Sequence, residues 1–221
     1  MLVSLVALVA SLLLAPPDTT APITADDATA PAASAHGSPL ATRMNSIGVW
    51  VGGSPVSAAL IAKTKGAQFA LIGIEFGHVL ATEHHMAVRY TADLIPAAIL
   101  AYPAPPRPEG ESADTIAPSP SPVVGVGMAP VGLQFVYRTH RRAQPFFGGS
   151  GGLVAFPEPI PDGRGRGLNY TFDVSVGVRW VLGANRVLAI GYRFHHLSNG
   201  FRGEINPGFD ANIFYIGLST M

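Results

Sequence analysis

A histidine and a serine stand two positions apart, at 196 and 198, near the end of an alternating segment. Residues i and i+2 of a strand lie about 6.5–7 Å apart at Cα and lean to one face, so the His196 imidazole can reach the Ser198 hydroxyl. A serine hydroxyl is a weak nucleophile until an adjacent base activates it. The pair is typical of serine hydrolysis, although His, Ser and Asn are also ordinary residues at a strand end.

The alternation around the pair indicates which way its side chains face. In segment 187–198 the even positions from 188 to 194 are apolar, and the next two even positions are His196 and Ser198. The odd positions include Arg193 and His195. Successive strand side chains point to opposite faces, so the histidine and serine share the apolar face. Polar groups on a lipid-facing surface are costly, which makes the pair a candidate functional site.

Period-two alternation recurs along the chain and predicts eight strands. Segment 170–182 is the clearest, with apolar residues at even positions and mostly polar residues at odd ones. The glycine-rich segment 145–156 has the weakest pattern. The eight predicted strands are 47–52, 72–77, 86–94, 131–138, 145–156, 170–182, 187–198 and 212–219.

The connections between these segments alternate in length. Long ones follow the first, third, fifth and seventh strands (53–66, 95–130, 157–169, 199–211), and short ones follow the second, fourth and sixth (81–85, 139–144, 183–186). Short turns at one end, long loops at the other and an even strand number are typical of outer-membrane barrels. We therefore predict an all-β fold, an eight-stranded antiparallel transmembrane β-barrel over residues 44–221, in the bacterial outer membrane.

The polar face of the predicted strands carries a nearly balanced set of charges. In a membrane barrel these side chains fill the lumen, whereas in a soluble sandwich or carrier they face water. An eight-stranded barrel has an interior just filled by side chains, so we expect no pore. The residues predicted to face inward are Glu75, Arg89, Asp93, Arg138, Asp173, Arg179 and Arg193.

The N-terminal residues 1–15 form an apolar run that two prolines follow. The run is too short for a spanning helix and has the length of the hydrophobic region of a signal peptide, although no basic residue precedes it. A hydrophobic anchor is the alternative. Residues 16–42 are rich in Ala, Pro and Thr without periodicity, which is typical of a disordered leader. We assign residues 1–35 to signal peptide and leader.

Composition excludes several classes of protein. The 14 basic and 14 acidic residues cancel, which removes the electrostatic case for nucleic-acid binding. The chain has no cysteine, so it has no disulfide framework, thiolate metal site or cysteine nucleophile. Because no zinc, EF-hand or phosphate-loop motif is present either, we expect no metal and no cofactor.

Several motifs of the C-terminal half resemble the lipid A 3-O-deacylase (acyloxyacyl hydrolase) family. The resemblance covers about residues 132–219 and is carried by stretches 144–146, 191–200, 206–210 and 213–219. It implies an eight-stranded outer-membrane barrel that removes an ester-linked acyl chain from lipid A. It also implies a His-x-Ser pair assisted by an acidic residue twelve positions after the serine.

The resemblance implies a carboxylic ester hydrolase in which Ser198 is the nucleophile and His196 the general base. Asp210 stands at the acidic position, where glutamate is usual. Aspartate is one methylene shorter, so Glu204 is the substitute if the Asp210 carboxylate does not reach His196. Asn199 and the backbone at Gly200 are candidate donors to the oxyanion.

The expected partner is lipid A, or lipopolysaccharide, in the outer leaflet, which the loop end of a membrane-embedded barrel would touch; a homodimer is possible. The Gly-Arg-Gly-Arg-Gly stretch 163–167 is either a flexible charged loop or a contact for a lipid phosphate. A non-enzymatic barrel with a structural or partner-binding role is the alternative function. A soluble carrier of lipophilic ligands is a third, which aliphatic residues inside the barrel would favour.

Overall fold

The computed structural model describes residues 45–58, 60–102, 122–161, 163–183 and 185–221. The expected signal peptide and leader lie outside these ranges, as does most of the proline-rich stretch between residues 103 and 122. Within them, no helix is long and apolar enough to cross a membrane.

The strands form one closed antiparallel sheet. Eight long strands pair in chain order, and the first also pairs with the last, from Ile47 opposite Thr220 to Gly53 opposite Phe214. This confirms the eight-stranded barrel. The strands are β1 (Asn45–Ser54), β2 (Ser57–Ala58), β3 (Gln68–Glu83), β4 (Met86–Ala101), β5 (Val123–Tyr137), β6 (Ala143–Ile160), β7 (Arg166–Val181), β8 (Arg186–Ser198) and β9 (Phe209–Thr220). The two-residue β2 is an addition from the first long connection.

Most of the strands are longer than the sequence predicts, and the outer connections are correspondingly shorter. The third outer connection spans 161–165 rather than 157–169, because β6 and β7 continue beyond the alternating region. The register between them shifts between Ala155 and Ile160, where Pro157 and Pro159 have no N–H to donate. Strand ends outside the lipid layer need no alternation, so the pattern does not mark them.

The outward face of the barrel is apolar. Aliphatic and aromatic side chains such as Val176, Ile190 and Phe214 are exposed along the strands, while charged neighbours such as Asp173 and Arg193 are buried. This is the arrangement of a barrel whose outer surface meets lipid. It is the reverse of the orientation that would favour a soluble carrier.

Charged side chains pair in the middle of the lumen. The Arg193 guanidinium donates to Asp93 Oδ2 at 3.1 Å and lies 3.9 Å from Asp173 Oδ2. Trp50 Nε1 donates to the other oxygen of Asp93 at 2.9 Å, and His195 Nδ1 donates to Asp173 at 2.7 Å. Paired and hydrogen-bonded groups of this kind can fill a barrel without leaving isolated charges.

One predicted lumen residue lies elsewhere, and one lumen layer was not predicted. Arg138 is exposed in the turn after β5 with a positive φ of 56°, so its inward assignment was wrong. Toward the long connections the lumen is apolar instead of charged. The buried residues of this apolar layer include Phe69, Leu71, Leu100, Val154, Phe156, Leu197, Phe209 and Ile213.

Candidate functional site

His196 and Ser198 lie on the last residues of β8, at the end of the barrel where the long connections cluster. Their positions alternate with buried His195 and Leu197, so their side chains point outward, as the parity predicts. His196 stands opposite Asp210 on β9, and Ser198 stands opposite Tyr170 on β7. Three neighbouring strands therefore bring these four residues together.

The His196 imidazole is held by Asp210. Nδ1 donates to Asp210 Oδ1 at 2.7 Å, and the aspartate side chain is fully buried. Cross-strand partners lie about 4.5–5.5 Å apart, so the short aspartate reaches the ring from directly opposite. With the proton on Nδ1, the lone pair of Nε2 is available as a base.

The second oxygen of Asp210 is held by three consecutive backbone groups. Oδ2 accepts from the N–H groups of Leu60, Ile61 and Ala62 at 2.8, 2.6 and 2.8 Å. Hydrogen bonds to an ionised carboxylate are stronger than neutral ones, so this backbone clamp fixes both the charge and the orientation of the side chain.

The local fold explains why the first connection reaches the site. Ser57 and Ala58 of β2 pair with Ala211 and Asp210 at the start of β9. Farther along, the N–H of Lys63 donates to the carbonyl of Pro207 at 2.6 Å. Sequence reasoning did not identify residues 60–62, because backbone donors leave no mark on residue type.

Ser198 is surrounded by donors. Its Oγ accepts from the Gly200 N–H at 3.2 Å and lies 3.5 Å from the side-chain amide nitrogen of Asn206. Gly200 has a φ of +64°, and a Cβ there would lie 2.9 Å from the Tyr170 ring, so the position needs glycine. Within the described part of the chain, Ser198 and His196 share no direct hydrogen bond, and such bonds are often long before substrate binds.

Two of the predicted residues have other contacts. Asn199 is 2% exposed, and its Nδ2 donates to the carbonyl of Ile205 at 2.7 Å, which ties the last connection together. Glu204 is exposed, and its N–H donates to the carbonyl of Arg164. Its carboxylate makes no contact with His196 among the described residues, whereas that of Asp210 does.

The surface around the pair is apolar and aromatic. The Phe172 ring lies 5.2 Å from the His196 ring, centroid to centroid, and the first connection exposes Leu60 and Ile61 beside it. In the ranges that the structure describes, no three His, Cys, Asp or Glu side chains are grouped to hold a metal ion. The arrangement of base, hydroxyl and apolar surface suits ester chemistry on a lipid.

The fold is similar to the folds of several solved structures. The chain is similar to the crystal structure of the outer membrane enzyme PagL, with 14% identity, 78% of this chain and 97% of that chain covered, and a TM-score of 0.53. It is also similar to Neisserial surface protein A (12% identity, 80% and 96% covered, TM-score 0.48) and to OprG from Pseudomonas aeruginosa (11%, 80% and 95%, 0.47). A search of curated proteins found no significant match.

A closed eight-stranded barrel with an apolar outer face defines the class of small outer-membrane β-barrels. The family model described as "Lipid A 3-O-deacylase (PagL)" matches residues 107–219, which is more than half of the chain. The chain belongs to this family and is an outer-membrane lipid A deacylase.

Proposed function

We propose that this deacylase is a carboxylic ester hydrolase that removes the 3-O-linked acyl chain of lipid A through Ser198, His196 and Asp210. The observation that carries the proposal is the 2.7 Å hydrogen bond from His196 Nδ1 to the fully buried Asp210. His196 is two residues from the outward-facing Ser198. The bond fixes the tautomer with a basic Nε2 and stabilises the imidazolium that forms, as the third member of a triad does.

The reaction proceeds in two steps. His196 Nε2 takes the Ser198 hydroxyl proton while Oγ bonds to the ester carbonyl carbon, and collapse of the tetrahedral intermediate breaks the bond to the sugar oxygen. The imidazolium returns the proton to that oxygen, which leaves as a free sugar hydroxyl. Water, deprotonated by His196, then attacks the acyl-enzyme carbonyl. The bond to Ser198 Oγ breaks as the imidazolium returns the proton to that oxygen, and a fatty acid is released.

Two donors beside Ser198 are the proposed donors to the oxyanion. The Gly200 N–H and the Asn206 amide both approach Ser198 Oγ, and preorganised donors of this kind stabilise the charge of a tetrahedral intermediate. The Asn199 amide is engaged with Ile205, which favours Asn206 in its place.

The outward orientation of the pair supports a substrate that stays in the bilayer. Residue Phe172 and the first connection present apolar surface beside the pair, at the end of the barrel that carries the long connections. Outer-membrane barrels face the exterior with this end, so the site lies near the outer leaflet, where lipid A resides.

The proposal is tested by expressing wild type and Ser198→Ala in a Gram-negative host and analysing lipid A by mass spectrometry. Wild type should remove one hydroxyacyl group, and the variant should leave lipid A intact. Ser219→Ala is the matched control and should behave as wild type, because Ser219 lies near the C-terminal end of β9, away from the candidate site.

Two outcomes would contradict the proposal. Intact lipid A with a folded wild-type barrel would favour the non-enzymatic alternative. Equal deacylation by wild type and Ser198→Ala would remove Ser198 from the mechanism.

A further inference from the structure

Two arginines beside the candidate site are held by backbone carbonyls. Arg202 Nε donates to the carbonyl of Asn199 at 3.0 Å and Nη2 to that of Leu168 at 2.9 Å. Arg166 Nε donates in turn to the carbonyl of Arg202 at 2.7 Å. These bonds orient both guanidinium groups without neutralising either.

Neither arginine has a carboxylate partner in the described part of the chain. Glu158 and Glu204 belong to the neighbouring strand and connection, yet no ion pair joins either of them to Arg166 or Arg202. Both guanidinium groups are on exposed residues. Two oriented guanidinium groups without carboxylate partners are typical of a site that binds an anionic ligand.

Arg202 contacts the cross-strand partner of the nucleophile. The Arg202 guanidinium carbon lies 4.6 Å from the centroid of the Tyr170 ring, and Tyr170 is the cross-strand partner of Ser198. The Tyr170 ring also lies close to Gly200, where an added Cβ would be 2.9 Å from it. An anion bound at Arg202 would therefore be separated from the ester at Ser198 by the Tyr170 side chain.

The loops that carry the arginines are tied to each other. The N–H groups of Glu204 and Ile205 donate to the carbonyl of Arg164, at 2.9 and 3.3 Å. This joins the connection before β7 to the connection before β9. Guanidinium groups on a braced backbone lose less conformational entropy when they bind a ligand.

We propose that Arg166 and Arg202 form a subsite for a phosphate group of the lipid A substrate, which orients its acyl ester at Ser198. Lipid A is a phosphorylated glucosamine disaccharide, so its phosphates and its acyl esters share one rigid sugar frame. Phosphate oxygens accept paired hydrogen bonds from the fork of a guanidinium group. The inference rests on the proposed function and adds the part of the substrate that is recognised. It assigns binding rather than flexibility to the second arginine of the stretch 163–167.

The test compares phosphorylated and dephosphorylated lipid A as substrates of the purified full-length protein in neutral detergent micelles. The substrate is then the only source of phosphate. Wild type should show a kcat/KM at least about tenfold higher for the phosphorylated form. In Arg166→Gln and Arg202→Gln this preference should fall toward unity, and Arg141→Gln, in the turn at the opposite end, should keep it.

The outcomes separate the two proposals. Equal kcat/KM of wild type for both substrates would overturn the phosphate subsite and leave the esterase intact. Deacylation of neither substrate by folded wild type would overturn the esterase itself. A preference retained in both Gln variants would overturn the assignment to these arginines. If Arg202→Gln disturbs its loop and loses activity on both substrates, the ratio of the two kcat/KM values for Arg166→Gln decides whether the phosphate subsite stands.

If added phosphorylated lipid restores the rate on the dephosphorylated substrate, the phosphate comes from a neighbouring lipid, and the assignment to the substrate's own phosphate is wrong.

Discussion

Asp210 is hydrogen-bonded on both of its oxygens, which supports its proposed role at the position where the resemblance expects glutamate. One oxygen accepts a hydrogen bond from His196 Nδ1, and the other accepts hydrogen bonds from three backbone N–H groups. Buried carboxylates stay ionised when their lone pairs are occupied by donors. At the scale of single residues, the reach of the acid is therefore set by strand register and the surrounding backbone.

Replacing Asp210 with Asn should reduce kcat for lipid A deacylation by about 10³–10⁴-fold. The amide no longer favours the tautomer with a basic Nε2 and no longer stabilises the imidazolium. Glu204→Gln is the matched control and should keep wild-type activity, because that carboxylate is exposed and away from His196. A large loss in Glu204→Gln with little loss in Asp210→Asn would exchange their roles.

The sequence nominated the candidate residues of this site that carry recognisable side chains. The spacing of His196 and Ser198 pointed to that pair, and the family resemblance pointed to Asp210. Asn206 was not singled out as a donor, since an asparagine in a loop has many ordinary roles. The three N–H groups at residues 60–62 could not be predicted, because a donating backbone depends on conformation and not on residue type.

The connection between β1 and β3 is the element that links the lipid-facing surface to the acid. Its backbone at Leu60 and Ile61 binds Asp210, while the side chains of the same two residues are exposed and apolar. If the exposed side chains rest on lipid, we expect this segment to hold the carboxylate in place when the barrel is embedded.

Ala62→Pro should lower kcat by about tenfold or more while the barrel remains folded. Proline removes the N–H that donates to Asp210 Oδ2 at 2.8 Å, and a hydrogen bond to a charged group contributes about 1.5–3 kcal/mol. Ala62→Gly keeps the N–H and should retain most of the activity. Activity is measured on purified lipid A, and folding by the heat-dependent shift of the barrel on electrophoresis. Equal kcat in the two variants would argue against the clamp.

Strand identity was predictable from the sequence, and strand length was not. Alternation exists only where one face meets lipid and the other the lumen, so it identified all eight long strands. It stopped short in β6, where Pro157 and Pro159 interrupt the pattern but not the strand. The apolar layer near the loops was missed for the same reason, because its residues belong to strand ends beyond the alternating region.

The whole molecule depends on the charge network in its lumen. Arg193 contacts two carboxylates, those of Asp93 and Asp173, and stacks on Trp50 at 4.4 Å from guanidinium carbon to ring centroid. Arg193 lies on β8, whose last residues include His196 and Ser198 of the candidate site. Its loss leaves two buried carboxylates without their shared cation.

Arg193→Leu should lower the free energy of unfolding by about 3–5 kcal/mol, since removing one partner leaves uncompensated buried charge. The measurement is urea unfolding of the barrel in lipid vesicles. Arg141→Leu, in the exposed turn between β5 and β6, should change the free energy by no more than about 0.5 kcal/mol. Indistinguishable midpoints for the two variants would show that the lumen network contributes little.

The pairing of β1 with β9 has a consequence for how the barrel comes into being. Its partners are far apart in the chain, as in the bond from Thr220 to the carbonyl of Ile47, 173 residues away. Until that seam forms, β1 and β9 both present open edges, which a hydrocarbon environment does not tolerate. We therefore expect stable insertion into the bilayer to wait until β9 has paired with β1.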